Sequence, residues 1–204
     1  MKDRKLLNIE LGRLTPEQYR QERPRSGLVL VLDNIRSAHN VGSTFRTADA
    51  FGVDKVYLGG ICPVPPSPEL HKVALGAEES VPFQHVDDVV ALVRELRADG
   101  YTVLAVEQTV HSVKLDAFCT GVSGREASGG HRPSSCPPEA SLPEGGRPVA
   151  TKYALVFGNE VAGVQQEVVD ACDFSLEIPQ KGTKHSLNVS VSIGVVLWVF
   201  SLNG

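Results

Sequence analysis

Residues 178–200 read IPQKGTKHSLNVSVSIGVVLWVF. The first half cannot be regular helix: Pro179 fixes φ and lacks a donor, and Gly182 adds a hinge. The second half places Val189, Ile193, Val196, Leu197 and Phe200 at helical spacing, so a helix is predicted over 188–202 with that face inward. Between turn and helix sit Ser186 and Asn188, flanking Leu187. The plain reading of a small polar residue there is an N-cap that satisfies orphan N–H groups. It gains weight as a functional loop because two other unusual loops stand upstream, each also at the end of a predicted strand.

Those strands are short aliphatic runs. Leu28–Leu32 (LVLVL) is unbroken, the mark of a strand buried on both faces of a parallel sheet. It ends in Asp33-Asn34, and the segment after it is expected to become helical around Gly42 and to close at Gly52. Further strands are predicted at 55–59, 81–86, 101–106, 154–157 and 174–178, with helices at 87–99, 114–118 and 163–172. The helix at 87–99 carries an acidic start, apolar residues at helical spacing, and Gly100 as its stop. Four prolines make 61–69 irregular, and 76–81 reads as a polar connector. Strands alternating with helices specify an α/β domain: a mostly parallel sheet with helices on both faces. Ligands in such sheets bind beyond the carboxyl ends of the strands.

Outside this frame lie two segments. Residues 1–26 carry seven basic and four acidic side chains, a local positive excess in a chain of net charge −4. Thr15-Pro16-Glu17 starts a helix there, with Pro at its first position. Lys5, Arg23 and Arg25 of this arm are candidates for phosphate contact; a solvated helix of mixed charge is the plain alternative. Residues 119–148 are rich in Gly, Ser and Pro without periodicity, and read as a flexible, tolerated insertion. The expected organisation is an arm at 1–26 and one domain at 27–204 interrupted by that insertion. The 204 residues, 42% apolar and 22% charged, suit a single globular core. No run reaches the roughly 20 apolar residues of a membrane span, and no secretory leader is visible. Cys62, Cys119, Cys136 and Cys172 lack C-x-x-C spacing and read as reduced thiols of a cytoplasmic protein. No metal site is expected.

Three loops leave strand ends with distinctive chemistry: Ser37-Ala-His-Asn40-Val-Gly42-Ser-Thr-Phe-Arg46, Phe157-Gly158-Asn159-Glu160-Val-Ala-Gly163, and the 178–188 segment. No GxxxxGK[ST] and no G-x-G-x-x-G after a strand is present, which disfavours phosphate-driven nucleotide binding. NxGxxxR at 40–46, GNExxG at 158–163 and IPQxGxxxSLNVSV at 178–191, in this order, resemble the three motifs of the SpoU/TrmH family of RNA 2′-O-ribose methyltransferases, of the SPOUT superfamily. The resemblance covers 28–200 apart from the insertion.

The resemblance implies an α/β knot, with a C-terminal trefoil, acting as a homodimer in the cytoplasm. It implies S-adenosylmethionine as methyl donor, released as S-adenosylhomocysteine, and structured RNA as substrate; the short build resembles tRNA-directed members more than ribosomal ones. By position, the cofactor cleft falls to Glu107, Gly158, Asn159, Gly163, Ile178, Gly182, Leu187 and Asn188. Glycines at 158, 163 and 182 let main chain approach closely, and Ile178 and Leu187 cover an adenine face; core packing is their plain alternative. Arg46 takes the part of the catalytic arginine, stabilising charge and positioning ribose and phosphate, because a guanidinium holds its proton too firmly to be a simple base. Its plain alternative is an ion pair with Asp49. Asn40 and Glu160 hold Arg46 and the loops, and Ser186 and Asn188 orient the hydroxyl or the third loop. Two other classes stay open: an RNA-binding protein of this fold that lacks catalysis, and an unrelated α/β small-molecule enzyme.

Overall fold

The computed structural model of the chain describes residues 4–22, 25–120 and 152–201. Among the described residues seven strands form one sheet: β1 (Leu28–Asp33), β2 (Lys55–Gly59), β3 (Phe83–Val86), β4 (Tyr101–Val106), β5 (Val113–Lys114), β6 (Lys152–Phe157) and β7 (Phe174–Glu177). Their order is β3-β2-β1-β6-β4-β7-β5, and the pairings are parallel throughout.

The two-residue period of a strand divides the core in two. Leu28, Leu30 and Leu32 point to one face, where Phe45, Ile193, Val196 and Leu197 meet them. Val29 and Val31 point to the other, against Val89, Leu92, Val93, Leu96, Val164 and Val168. The first face is covered by α2 (Ala38–Ala50), α3 (Pro68–Ala74), α4 (Ala77–Ser80), α6 (Leu115–Thr120) and α8 (Val189–Ser201); the second by α5 (Val89–Ala98) and α7 (Gln166–Ala171). The expected parallel α/β sheet with helices on both faces is therefore present. All six positions of β1 are buried, as the unbroken LVLVL run requires.

Five elements differ from expectation. Helix α2 begins at Ala38, a turn before Gly42, because the Ser37 hydroxyl accepts the Asn40 N–H at 3.2 Å and caps it; this puts Asn40 inside the helix. Helices α3 and α4 occupy ground read as irregular or connecting. Ser67 caps α3 and accepts the Leu70 N–H at 3.4 Å, and Pro68 follows as its first residue. Helix α7 starts at Gln166, since 158–163 closes on itself as a turn. Strand β5 is too short to carry a periodicity. In the N-terminal segment, α1 (Pro16–Glu22) starts at the expected proline, preceded by a 3-10 turn at Asn8–Leu11. The insertion read at 119–148 lies outside the described residues beyond Thr120, as does Arg23.

Strands β1, β2 and β3 progress to one side of β1, and β6, β4, β7 and β5 lie to the other. The direction reverses between β1 and β6, and loops leaving adjacent carboxyl ends splay apart there into a crevice. The segments after β1, β6, β4 and β7 all open at that end.

Candidate active site

A cavity of about 540 Å³, within the usual range for small-molecule sites, opens over the carboxyl ends of β6, β4 and β7, lined by residues 106–108, 157–163, 176–178, 180, 185–189 and 192. Of the residues singled out in the sequence, it gathers Glu107, Gly158, Asn159, Glu160, Gly163, Ile178, Ser186, Leu187 and Asn188.

The 158–163 loop is shaped by its glycines and by Asn159. A Cβ at Gly158 would lie 2.0 Å from the Gly163 carbonyl carbon and the Val164 nitrogen, so no side chain fits. Gly163 has φ +70°, a left-handed conformation open to glycine. Main-chain bonds at 2.9 Å run both ways between Asn159 and Gly163. Asn159 Oδ1 accepts the Val161 and Ala162 N–H groups at 2.9 and 3.1 Å, and its Nδ2 donates to the Asn34 carbonyl at 2.7 Å. The Glu107 carboxylate, at the end of β4, accepts Val164 N–H at 3.0 Å and Gln108 N–H at 2.8 Å. Buried Asp33, at the end of β1, accepts Gln165 N–H at 3.0 Å. The loops after β1, β4 and β6 are thus fastened by carboxylates to one another's amides.

A second network joins the three sequence motifs. Glu160 accepts the main-chain N–H groups of Arg36 and Ser37, each at 3.2 Å, and the Asn40 Nδ2 at 2.8 Å. Burial alone would push this carboxyl up; the Asn40 bond and the main-chain donors outweigh it and hold Glu160 below the ordinary carboxylate value. Asn188 Nδ2 donates to Asn40 Oδ1 at 3.1 Å. Asn188 also caps α8: its Oδ1 accepts the Ser190 N–H at 2.9 Å and the Ser190 hydroxyl at 2.6 Å. The cap and the loop connection are both real, carried by opposite ends of one amide.

Ile178 is half-buried, packing on the core as well as lining the cavity; Leu187 is 40% exposed and belongs to the cavity wall alone. Gly182 is outside the lining, and a Cβ there would meet nothing within 4 Å, so no packing within the chain requires glycine at this position. Arg46 is also outside the lining of its own chain's cavity. It lies on an exposed face of α2 with His39, Ser43 and Ala50, and among the described residues its side chain forms no salt bridge to Asp49. Arg25 is exposed ahead of β1, at the sheet end opposite the crevice, and Lys5 is exposed in the N-terminal segment.

Sequence reading missed Gln108, whose Nε2 donates to the His185 carbonyl at 2.9 Å across the cavity mouth. Its signal was position alone, next to Glu107. Among the described residues this is the one hydrogen bond joining 179–187 to the body of the domain. Cys62 and Cys172 are free. Buried Cys62 has its thiol pushed up to about 11 by burial, and it serves the fold by accepting Ile35 N–H at 3.2 Å. Among the described residues no group of three or more His, Cys, Asp or Glu could hold a metal, and no helix is long and apolar enough to cross a membrane.

Fold and site define a parallel α/β domain with a loop-built cavity at the carboxyl ends of its strands. The SpoU rRNA Methylase family model matches residues 27–198, and the chain belongs to that family. It is 33% identical over 175 residues to the 23S rRNA (guanosine-2′-O-)-methyltransferase RlmB of Nitrosomonas europaea, covering 84% of this chain and 54% of the relative. To the RlmB of Coxiella burnetii it is 28% identical over 178 residues, 87% of this chain and 59% of the relative. The chain thus spans a little over half the length of these relatives. Among solved structures it resembles an AdoMet-bound rRNA methyltransferase from Sinorhizobium meliloti at TM-score 0.65 and 25% identity, over 92% of this chain and 60% of that one. The A. aeolicus TrmH/SpoU tRNA modifying enzyme, at TM-score 0.69 and 24% identity, over 92% of this chain and 81% of that one, shares the fold.

Proposed function

We propose that this chain transfers a methyl group from S-adenosylmethionine to a ribose 2′-hydroxyl of structured RNA. The observation that carries the reading is the hydrogen-bonded chain Glu160–Asn40–Asn188, which joins all three motifs beside a cavity of about 540 Å³.

The cavity fits the donor. Leu187 and Ile178 offer apolar faces to an adenine plate. The main chain of 179–187 is exposed and makes one hydrogen bond among the described residues, which leaves its amides and carbonyls free to read a base edge. When bound, S-adenosylmethionine supplies an electrophilic methyl on a sulfonium and leaves as the neutral thioether S-adenosylhomocysteine. In the transfer the S–CH₃ bond breaks with its electron pair left on sulfur, an O–CH₃ bond forms, and the hydroxyl proton passes to solvent. Glu160, ionised and occupied by three donors, holds the 34–40 segment against the cavity. Ser186 and Asn188 border the space where the hydroxyl must sit. Arg46 stabilises the developing alkoxide and its neighbouring phosphate.

Since Arg46 is outside its own cavity, this role requires a second copy. A homodimer is supported by an exposed apolar stripe on α8: Val191, Val195 and Trp198 are 51%, 37% and 57% exposed. Helix α8 packs on α2, and Trp198 meets Phe51 at 6.3 Å, so an interface on the stripe would lie beside the helix that carries Arg46. We further propose that 158–163 and 178–188 belong to a C-terminal trefoil knot, that the catalytic domain spans 27–204 behind an arm at 1–26, and that the protein works in the cytoplasm with its thiols reduced. A catalytically silent RNA-binding protein is the competing reading; the intact Asn40, Glu160, Ser186 and Asn188 constellation favours catalysis.

The test is mass-spectrometric mapping of 2′-O-methyl nucleotides in total rRNA and tRNA, from cells with and without the protein and after incubation with purified protein and S-adenosylmethionine. One nucleotide should lose its methyl group in the cells and regain it in vitro. Identical maps in both experiments would overturn the reading.

A further inference from the structure

An acceptor ribose inside the crevice obliges its flanking phosphates to lie against the crevice mouth. Arg25 of the basic arm sits badly for that: it precedes β1, and the six residues of β1, about 20 Å at 3.3 Å each, separate it from the site. The mouth carries its own cations. Lys181 and Lys184 are exposed, on a segment whose neighbours Gln180 and His185 line the cavity, and no acidic residue occurs from Ile178 through Asn188. Arg36 is also exposed, and its main-chain N–H is fixed to the lining residue Glu160. The carboxylates nearby are already engaged. Glu160 takes three donors, Glu107 takes two, and Glu177 takes the Ser112 hydroxyl at 2.8 Å with Lys114 at 3.9 Å. Although the whole chain is acidic at −4, and Glu107, Glu160 and Glu177 line the cavity itself, the 178–188 segment presents its two lysines with no acid of its own.

We propose that Lys181, Lys184 and Arg36 form a phosphate-binding rim that seats the RNA backbone on either side of the methylated nucleotide. This rests on the methyltransferase reading and adds where, and by which side chains, RNA is held. The 179–187 segment suits that role. It is exposed, and among the described residues it is tied to the body by Gln108 and then by Asn188, so it can bring both lysines onto a backbone whose sequence it does not read.

Binding of total rRNA and of bulk tRNA, measured with S-adenosylhomocysteine present between 50 and 300 mM salt, tests this. Removing one cation that neutralises a phosphate lowers the slope of log K against log salt by about one. The Lys181→Ala/Lys184→Ala double variant should lose about two units of slope on the RNA that accepts methyl. Its S-adenosylhomocysteine affinity should stay within about twofold of the parent, and Lys181→Arg/Lys184→Arg should restore the slope. Lys55→Ala/Lys152→Ala, which removes equal charge at the amino ends of β2 and β6, should leave the slope unchanged. An unchanged slope in the first variant, an equal drop in the far-end variant, or an arginine variant that fails to restore it overturns the rim. If the unsubstituted protein binds neither the cofactor product nor RNA, the methyltransferase reading falls and the rim with it; a protein that methylates RNA with an unchanged slope in the variant loses only the rim.

Discussion

Replacing Asn40 with alanine should loosen all three motif loops at once, because its amide is the joint between them. The variant loses the 2.8 Å bond to the Glu160 carboxylate and the 3.1 Å bond from Asn188. A hydrogen bond to a charged acceptor contributes about 1.5 kcal/mol, near the low end because Glu160 is exposed, and a neutral one about 1 kcal/mol. Alanine returns about 0.5 kcal/mol as a better helix former inside α2. The net loss is about 2 kcal/mol, which lowers Tm by about 4–8 °C in a chain of this size. Calorimetry on the parent, Asn40→Ala, Glu160→Gln and the double variant separates coupling from general damage. Each single change should destabilise, and the double should fall short of their sum by about 1 kcal/mol. Methyl transfer to RNA in Asn40→Ala should fall by at least about 100-fold, the scale on which misplaced catalytic geometry is felt. A Tm within 1 °C of the parent, or singles that add within about 0.3 kcal/mol, would refute the network as the link between loops.

Three more outcomes follow from the same geometry. Arg46→Ala should abolish methyl transfer while leaving S-adenosylmethionine affinity nearly intact, read by single-turnover transfer beside calorimetric binding; comparable turnover would remove Arg46 from the chemistry. Glu160 has a carboxyl held below its ordinary value of 4.5, so the stability it contributes is full above the unfolded value and is lost as pH falls through the folded one. The stability gap between parent and Glu160→Gln should therefore be constant from pH 8 to 6 and close below about pH 4.5; a gap that persists at pH 3 would contradict the charged hydrogen bonds. Trp198→Asp places a charge on the exposed stripe of α8 and should convert a dimer to a monomer in light scattering, with methyl transfer lost alongside; an active monomer would show that Arg46 needs no partner.

What the sequence disclosed, and what it hid, follow from the range of the interactions involved. The aliphatic runs of β1, β4 and β6 and the inward face of α8 were legible because burial imposes a local period that needs no knowledge of the partner. The start of α2 was misread because Gly42 looks like a breaker, whereas its role is tertiary: a Cβ there would lie 2.7 Å from the Leu70 carbonyl oxygen of α3, itself a helix whose proline-rich approach disguised it. The three motifs were recognisable as strings, but the bonds that make them a site span 120 residues from Asn40 to Glu160 and 148 from Asn40 to Asn188, and no local pattern encodes such a pairing. Gln108 carries no signature at all, since a lone glutamine after a strand is ordinary until His185 is seen opposite it. Arg46 marks the boundary from the other side. Its motif is intact, yet the chain leaves it on an exposed face away from the cavity, beside the helix that carries the apolar stripe. A residue with catalytic spacing, solvent exposure and an apolar neighbour surface is explained economically if its cavity belongs to another copy. On the function proposed above, assembly, rather than any rearrangement within the chain, is then the step on which methyl transfer would depend.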